Sequence, residues 1–198
     1  MQNIVMAGCG AVGSRLALEV GAPGLSFLLI DDDRIDANNV RTGSTIYWSQ
    51  HIGAFKTVAL GEMLYRRWGC DAVADTEMLT ENRVIVTYRQ FVGAQVVVDG
   101  FDNVAARRLL VDMSGRNVPP VLHVGVSAAG SGIVAWGDKY ELPDLAPPRG
   151  ENPVCTHQLG RGIITFTASV AALIVSDFLA TGKMRSVITT RALGVIDL

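Results

Sequence analysis

The 198-residue sequence has few of the residues that mark several common classes of protein. Its three cysteines, Cys9, Cys70 and Cys155, form no C-x-x-C pair, so neither a disulfide framework nor a structural zinc site is expected. The formal net charge is -2 and lysines and arginines are not clustered, which gives no basic surface for nucleic acid or an anionic membrane. We therefore expect a cytoplasmic protein that binds neither nucleic acid nor membranes.

Targeting and membrane-spanning patterns are also missing. The sequence opens on NIVMAGCG, with no basic segment or small-residue cleavage site, so no signal peptide is expected. The longest apolar stretch, residues 163–179, is interrupted by two threonines, two serines and an aspartate, which favours a buried helix over a membrane span. Hydrophobic residues make up 49% of the chain, enough for a sizeable core, and we predict a single domain over 1–198.

Short apolar strands alternate with helical segments along most of the chain. Strands are predicted at 3–6, 27–30, 73–74, 96–98 and 121–126, and helices at 14–20, 56–68 and 105–113. This order predicts an α/β fold: a Rossmann-like, mostly parallel sheet with helices on both faces and extra C-terminal strands. After a short strand that begins near Gly130, a long loop holds four of the seven prolines and is either a functional lid or mobile.

A glycine motif, Gly8-Cys9-Gly10-Ala11-Val12-Gly13, follows the first strand and opens a helix. Glycines allow the main chain to turn tightly and approach a phosphate, and the helix N-terminus presents N–H groups to it. Asp31 ends the second strand, where a carboxylate can accept hydrogen bonds from both ribose hydroxyls. The motif therefore predicts nucleotide binding; the alternative is that the glycines only permit close helix–strand packing.

The stretch VVVDGFDNVAARRLL, residues 96–110, places Asp99 at the end of the fourth strand and Asp102 at the start of a helix. Ligands of open α/β sheets bind at this carboxyl edge. Carboxylates beside a nucleotide's phosphates need a cation between them, for which Mg²⁺ is suited. The alternative for Asp102 is a helix N-cap. Arg107 is expected to pair with a carboxylate on its own helix face.

Four motifs in order resemble one family. GCGAVGS, LIDDDRIDANNVR, HIGAFK and VVDGFDNVAAR look like the adenylation domain shared by ThiF, MoeB, HesA and the ubiquitin-activating enzymes. The segment PVCTHQLGRGIITFTASVAALIVSDFL is similar to the family's last large helix and the cysteine before it. The resemblance spans nearly the whole chain.

The resemblance implies an adenylyltransferase that uses ATP and Mg²⁺ to activate the C-terminal glycine of a small ubiquitin-fold carrier ending in Gly-Gly, for sulfur transfer. It also implies a homodimer. The residues it assigns are Gly8, Gly10 and Gly13 around the phosphates, Asp31 and Asp33 at the ribose, Arg41 and Lys56 on the triphosphate, and Asp102 on Mg²⁺. Lys56 has the alternative of a solvated helix end. Cys155 is either a nucleophile that accepts an acyl group or sulfur, or a relic of a lost zinc ligand.

The sequence also departs from the family pattern. Either Asn38 or Asn39 could serve as the asparagine that precedes the family's arginine, because neither spacing is the usual one. Thr42 stands where a glutamine is expected, and the zinc-binding cysteine pairs are reduced to Cys155. Two other functions therefore stay open: a ThiF-like scaffold without catalysis, and an NAD-dependent oxidoreductase.

Overall fold

The computed structural model describes residues 2–113, 119–127, 130–142 and 160–198. Within these residues the strands are β1 (Gln2–Ala7), β2 (Leu25–Ile30), β3 (Asp71–Asp75), β4 (Val96–Asp99), β5 (Val121–Val126), β6 (Ser131–Trp136), β7 (Val187–Thr190) and β8 (Val195–Asp197). The helices are α1 (Ala11–Val20), α2 (Ala37–Arg41), α3 (Lys56–Trp68), α4 (Glu81–Val92), α5 (Val104–Met113) and α6 (Gly160–Thr181), with short 3₁₀ turns at Ser49–His51 and Gly137–Lys139.

One sheet runs in the order β3-β2-β1-β4-β5-β6-β7-β8. The strands from β3 to β5 are parallel, and β6, β7 and β8 are added antiparallel. Chain order reverses between β1 and β4, so the loops that leave these two strands diverge and open a crevice at their carboxyl ends. This topology confirms the predicted α/β fold with its extra C-terminal strands.

Helices cover both faces of the parallel strands. On one face, α1, α3 and α6 bury side chains such as Leu16, Leu60 and Ile164. On the other face, Phe91 of α4 and Leu110 of α5 pack on the sheet. The strands are apolar on both faces because each face lies against a helix.

Within the long C-terminal helix α6, an 18-residue stretch has a mean hydropathy of 2.0, so the helix is long and apolar enough to cross a membrane by length and composition alone. Here it packs against α1 and the strands β5 and β6. The Thr167 hydroxyl lies 2.7 Å from the Thr189 hydroxyl of β7, which satisfies both groups inside the core. The predicted helix is confirmed, with one face buried and Leu173 on the opposite, exposed face.

The sequence patterns located β1 to β5, α1, α3 and α5, but not α2 or α4. The sequence of α4 is rich in β-branched residues, which are weak helix formers. For this reason its sequence did not predict a helix. Thr80 begins the helix by accepting a hydrogen bond from the Arg83 N–H at 3.2 Å. Most of the proline-rich loop, together with Cys155, lies outside the described residues.

Replacement of Gly13 by alanine is expected to destabilise the protein by at least about 2 kcal/mol, because overpacking of this severity forces the backbone to move. A Cβ at Gly13 would lie 2.0 Å from the Gly8 carbonyl oxygen. Urea denaturation of Gly13→Ala measures the loss. Gly162→Ala in α6 is the control: no described atom lies within 4 Å of its added Cβ, and we expect it to be neutral or stabilising by up to about 1 kcal/mol. Equal stability of the two variants would contradict the packing described here.

Candidate active site

The glycine loop joins β1 to α1. Gly8 has a φ of 92°, and a Cβ there would lie 2.6 Å from the Gly100 carbonyl carbon. Gly8 and Gly13 are thus required by packing, as the alternative interpretation of the motif stated. Gly10 differs, because no described atom lies within 4 Å of the position of its Cβ, and no side chain caps the α1 N-terminus that it precedes. The loop therefore leaves space and helix N–H groups for an anionic ligand.

Asp31 links this loop to the end of β2. Its carboxylate accepts hydrogen bonds from the Cys9 N–H at 2.7 Å and the Asp33 N–H at 2.9 Å. Burial raises the pKa of Asp31, although Lys56 and the two N–H groups oppose the shift. Each carboxylate oxygen can accept more than one hydrogen bond, so Asp31 keeps acceptor capacity for a ribose hydroxyl.

Lys56 lies at the start of α3 and is 9% exposed, so its interpretation as a solvated helix end is wrong. Its Nζ is 2.6 Å from Asp33 Oδ2. Burial by itself would lower the pKa of Lys56, but Asp31, Asp33 and Asp102 more than offset this and raise it. The side chain therefore holds a positive charge beside three carboxylates from two strand ends.

Tyr47 fixes the relative position of these parts. Its hydroxyl is 2.7 Å from the Cys9 carbonyl oxygen and 3.2 Å from that of Lys56. The ring is buried, so one side chain ties the glycine loop to the start of α3. Sequence reasoning missed Tyr47, because an aromatic residue between two helices has no local pattern that shows which backbone groups it will meet.

Helix α2 separates the roles of the two candidate asparagines. Asn39 closes a capping box with Asp36, since its backbone N–H donates to Asp36 Oδ1 at 2.7 Å and its Oδ1 accepts from the Asp36 N–H at 3.1 Å. Asn38 Oδ1 accepts a hydrogen bond from Arg41 Nη2 at 3.0 Å. Asn38 and Arg41 thus form an exposed pair, while the Asn39 side chain holds the helix end.

The loop after β4 carries one buried and one exposed carboxylate. Asp99 is fully buried, whereas Asp102 is exposed and forms no hydrogen bond with any described residue. Asn103 is the N-cap of α5, because its Oδ1 accepts from the Ala106 N–H at 2.8 Å. The alternative of Asp102 as the helix cap is therefore wrong, and its carboxylate is available to a cation.

Arg107 does not pair with a carboxylate of its own helix, contrary to the sequence-based expectation. Its guanidinium is buried beneath the loop and donates to the carbonyl oxygens of Phe101 and Val124 and to the Tyr140 hydroxyl. Asp99 Oδ2 lies 4.0 Å from its Nε. A buried cation needs such partners, and here they come from three different elements.

The chemistry of these groups fits a magnesium–nucleotide complex. Lys56 has the positive charge that a polyphosphate needs, Asp31 has acceptor capacity for a ribose, and Asp102 is an oxygen donor of the kind that Mg²⁺ prefers. The side chain of Arg41 contacts Asn38, and no described contact joins it to these three residues. Asp102 is the weakest of the three carboxylates that raise the pKa of Lys56, after Asp31 and Asp33.

A scan against protein-family models matches residues 1–188 to the ThiF family. The chain belongs to this family. Among solved structures, this ThiF-family chain is similar to E. coli MccB with ATP (TM-score 0.70, 14% identity), E. coli MccB with MccA-N7isoASN (0.72, 13%) and PaaA (0.71, 17%). The likeness covers 100% of this chain and 62%, 64% and 64% of those chains, so it spans less than two thirds of their length. No curated protein sequence matches significantly.

Cys9 and Cys70 are expected to resist alkylation in the native protein, although Cys9 lies within the glycine loop. Burial raises the pKa of both thiols, so the reactive thiolate is scarce at pH 8. Iodoacetamide labelling at pH 8, followed by mass spectrometry, should modify these two cysteines only after unfolding in urea. Rapid native labelling of Cys9 would show that the loop is more open than described.

Proposed function

We propose that the protein is an ATP- and Mg²⁺-dependent adenylyltransferase that activates the C-terminal carboxylate of a polypeptide. The observation that carries this proposal is the position of the glycine loop, which contacts the loop of Asp102 through Gly8 and Gly100 and the end of β2 through Asp31. Buried Lys56 lies at the same strand end, on Asp33, and the N-terminus of α1 has no side-chain cap among the described residues. NAD lacks the triphosphate that Lys56 and Asp102 suit. Membership of the ThiF family and the likeness to MccB, solved with ATP, support the same choice.

The proposed reaction joins a carboxylate oxygen to the α-phosphorus of ATP and breaks the bond from that phosphorus to the pyrophosphate oxygen. Two anions must meet, so the site has to offset their repulsion as charge builds up. Lys56 and Arg41 bind the triphosphate, Asp31 binds the ribose and the α1 N-terminus faces the phosphates. Asp102 would hold Mg²⁺, which when bound would supply further charge neutralisation.

The proposed partner is a small ubiquitin-fold carrier whose tail ends in Gly-Gly, and the proposed destination is sulfur transfer. Glycine needs no side-chain pocket, so a thin tail can reach the phosphate through a narrow opening. Solved MccB structures include one with MccA, which supports a polypeptide substrate for this ThiF-family chain. Pyrophosphate exchange can distinguish a folded carrier from a short peptide as the substrate. The two are compared as a folded Gly-Gly carrier and a synthetic peptide of its last residues, and the one that drives exchange is the substrate type.

The proposal also includes a role for Cys155, the localisation and the oligomeric state, as expected from the sequence. Cys155, which lies outside the described residues, is proposed as the thiolate that attacks the acyl carbon of the adenylate, forming a thioester and releasing AMP; the alternative is a relic of a lost zinc ligand. The protein is also proposed to be cytoplasmic. A homodimer is proposed, with the exposed apolar side chains of Ile196 and Leu198, at the β8 end of the described sheet, in its interface. Light scattering at micromolar concentration tests the dimer, and a single monomeric species would contradict it.

Lys56→Met is expected to weaken the binding of Mg²⁺·ATP by roughly tenfold or more, because a charge-assisted hydrogen bond is lost. Isothermal titration calorimetry with ATP and, separately, NAD measures this, and the wild type should prefer ATP. Lys139→Met removes an exposed lysine from a short 3₁₀ turn and is the matched control. Equal or tighter NAD binding by the wild type would favour the oxidoreductase instead.

Asp102→Asn should lower ATP–pyrophosphate exchange at least a hundredfold, or about 3 kcal/mol in the transition state, because a metal-binding carboxylate is lost. The exchange is driven by a small ubiquitin-fold carrier that ends in Gly-Gly. Asp112→Asn removes an exposed carboxylate from α5, the helix that follows Asp102 in the chain, and should retain full exchange. Near-normal exchange by Asp102→Asn, or none by the wild type, would support the scaffold alternative.

A further inference from the structure

A buried polar network lies directly beneath the loop that carries Asp102. His123 of β5 places Nδ1 2.7 Å from Asp99 Oδ2, and both side chains are fully buried. The Tyr140 ring stacks on the His123 ring with centroids 4.0 Å apart and planes 11° from parallel. The Tyr140 hydroxyl accepts a hydrogen bond from Arg107 Nη1 at 2.7 Å. Neither His123 nor Tyr140 belongs to a motif that the sequence analysis used.

The network holds both backbone groups of the residue before Asp102. The Phe101 N–H donates to Asp99 Oδ1 at 3.0 Å, and the Phe101 carbonyl oxygen accepts from Arg107 Nε at 2.6 Å. Gly125 makes room for this arginine, because a Cβ there would lie 3.1 Å from Arg107 Nη2. The position of the Asp102 backbone therefore depends on the partners of Asp99 and Arg107.

The hydrogen-bond pattern also identifies the state of His123. Nδ1 carries the hydrogen that Asp99 accepts, while the buried Nε2 has no hydrogen-bond partner among the described residues. A proton on Nε2 would be a buried donor without an acceptor, which is costly. The neutral ring with its hydrogen on Nδ1 is thus the form that fits, and it serves as a fixed donor to Asp99.

We propose that His123 and Tyr140 are positioning residues that act through Asp99 and Arg107 to hold Asp102 in place for the metal. The inference rests on the proposed role of Asp102. His123 fixes the carboxylate that binds the Phe101 N–H, and Tyr140 fixes the guanidinium that binds the Phe101 carbonyl. Tyr140 comes from the end of the turn after β6, so an element distant in sequence sets the geometry of the β4 exit.

The test uses Tyr140→Phe, which keeps the ring stack and removes only the hydroxyl. Its matched control is Thr189→Val, which also removes one buried hydroxyl hydrogen bond, but between β7 and α6. Both variants are expected to melt at a lower temperature than the wild type. Hydrogen exchange of the Phe101 amide, measured by NMR, should quicken roughly tenfold in Tyr140→Phe and stay unchanged in Thr189→Val.

Calorimetry with ATP, with and without Mg²⁺, provides the second measurement. The increase in ATP affinity that Mg²⁺ confers should fall about tenfold in Tyr140→Phe and persist in Thr189→Val. If Tyr140→Phe and Thr189→Val respond equally in amide exchange and in the effect of Mg²⁺ on ATP affinity, the proposal is overturned. The network would then contribute to stability only. If the wild type binds no Mg²⁺·ATP, the proposed function fails, and amide exchange alone decides whether the loop is positioned as described.

Substitutions of His123 give an independent check. His123→Asn keeps an N–H donor near the place of Nδ1, whereas His123→Leu leaves Asp99 buried without it. The protection of the Phe101 amide from exchange, and the increase in ATP affinity that Mg²⁺ confers, should be largely retained in His123→Asn. Both should be lost in His123→Leu. Loss of both in His123→Asn, while Tyr140→Phe matches Thr189→Val, would contradict the assigned role of the Nδ1 donor.

Discussion

The close contact of three glycines is the constraint on which the site depends. Gly8, Gly13 and Gly100 bring the exits of β1 and β4 into backbone contact, since a Cβ on Gly8 or Gly13 would overlap a main-chain atom. Gly100 also donates its N–H to the Ala7 carbonyl oxygen at 2.7 Å. The same contact places the open N-terminus of α1 beside the loop of Asp102. The proposed nucleotide site and the proposed metal ligand thus depend on the same backbone packing.

The ion pair between Lys56 and Asp33 is the second feature that defines the site. Lys56 is a buried cation near several acidic groups, and Asp33, whose side chain is 67% exposed, is its ion-pair partner. In the proposed complex a phosphate oxygen competes with Asp33 for this ammonium. The exposed partner can turn to solvent at little cost, because surface ion pairs contribute little to stability. The buried pair of Asp99 and His123 instead holds the loop geometry.

Local patterns in the sequence were sufficient for the fold and for part of the site. The glycine motif, the strand ends at Asp31 and Asp99 and the apolar period of α3 all depend on neighbours in sequence. Arg107, His123 and Tyr140 could not be predicted correctly, because their partners lie on different strands and turns. Asn39 differs, because its capping box with Asp36 is a contact between neighbours in sequence, at the start of a helix that the sequence patterns did not locate. Contacts between distant elements, therefore, hold most of the information that the sequence patterns missed.

In the proposed complex Asp102 binds the metal of a nucleotide that lies on the glycine loop. A crystal structure with a non-hydrolysable ATP analogue and Mn²⁺, in which anomalous scattering locates the ion, tests this proposal. We expect Mn²⁺ bound to an Asp102 carboxylate oxygen at roughly the 2.1 Å typical of such hard cations, with the triphosphate beside Lys56. A nucleotide bound with its metal on other residues, or a nucleotide-free site at saturating concentration, would contradict it.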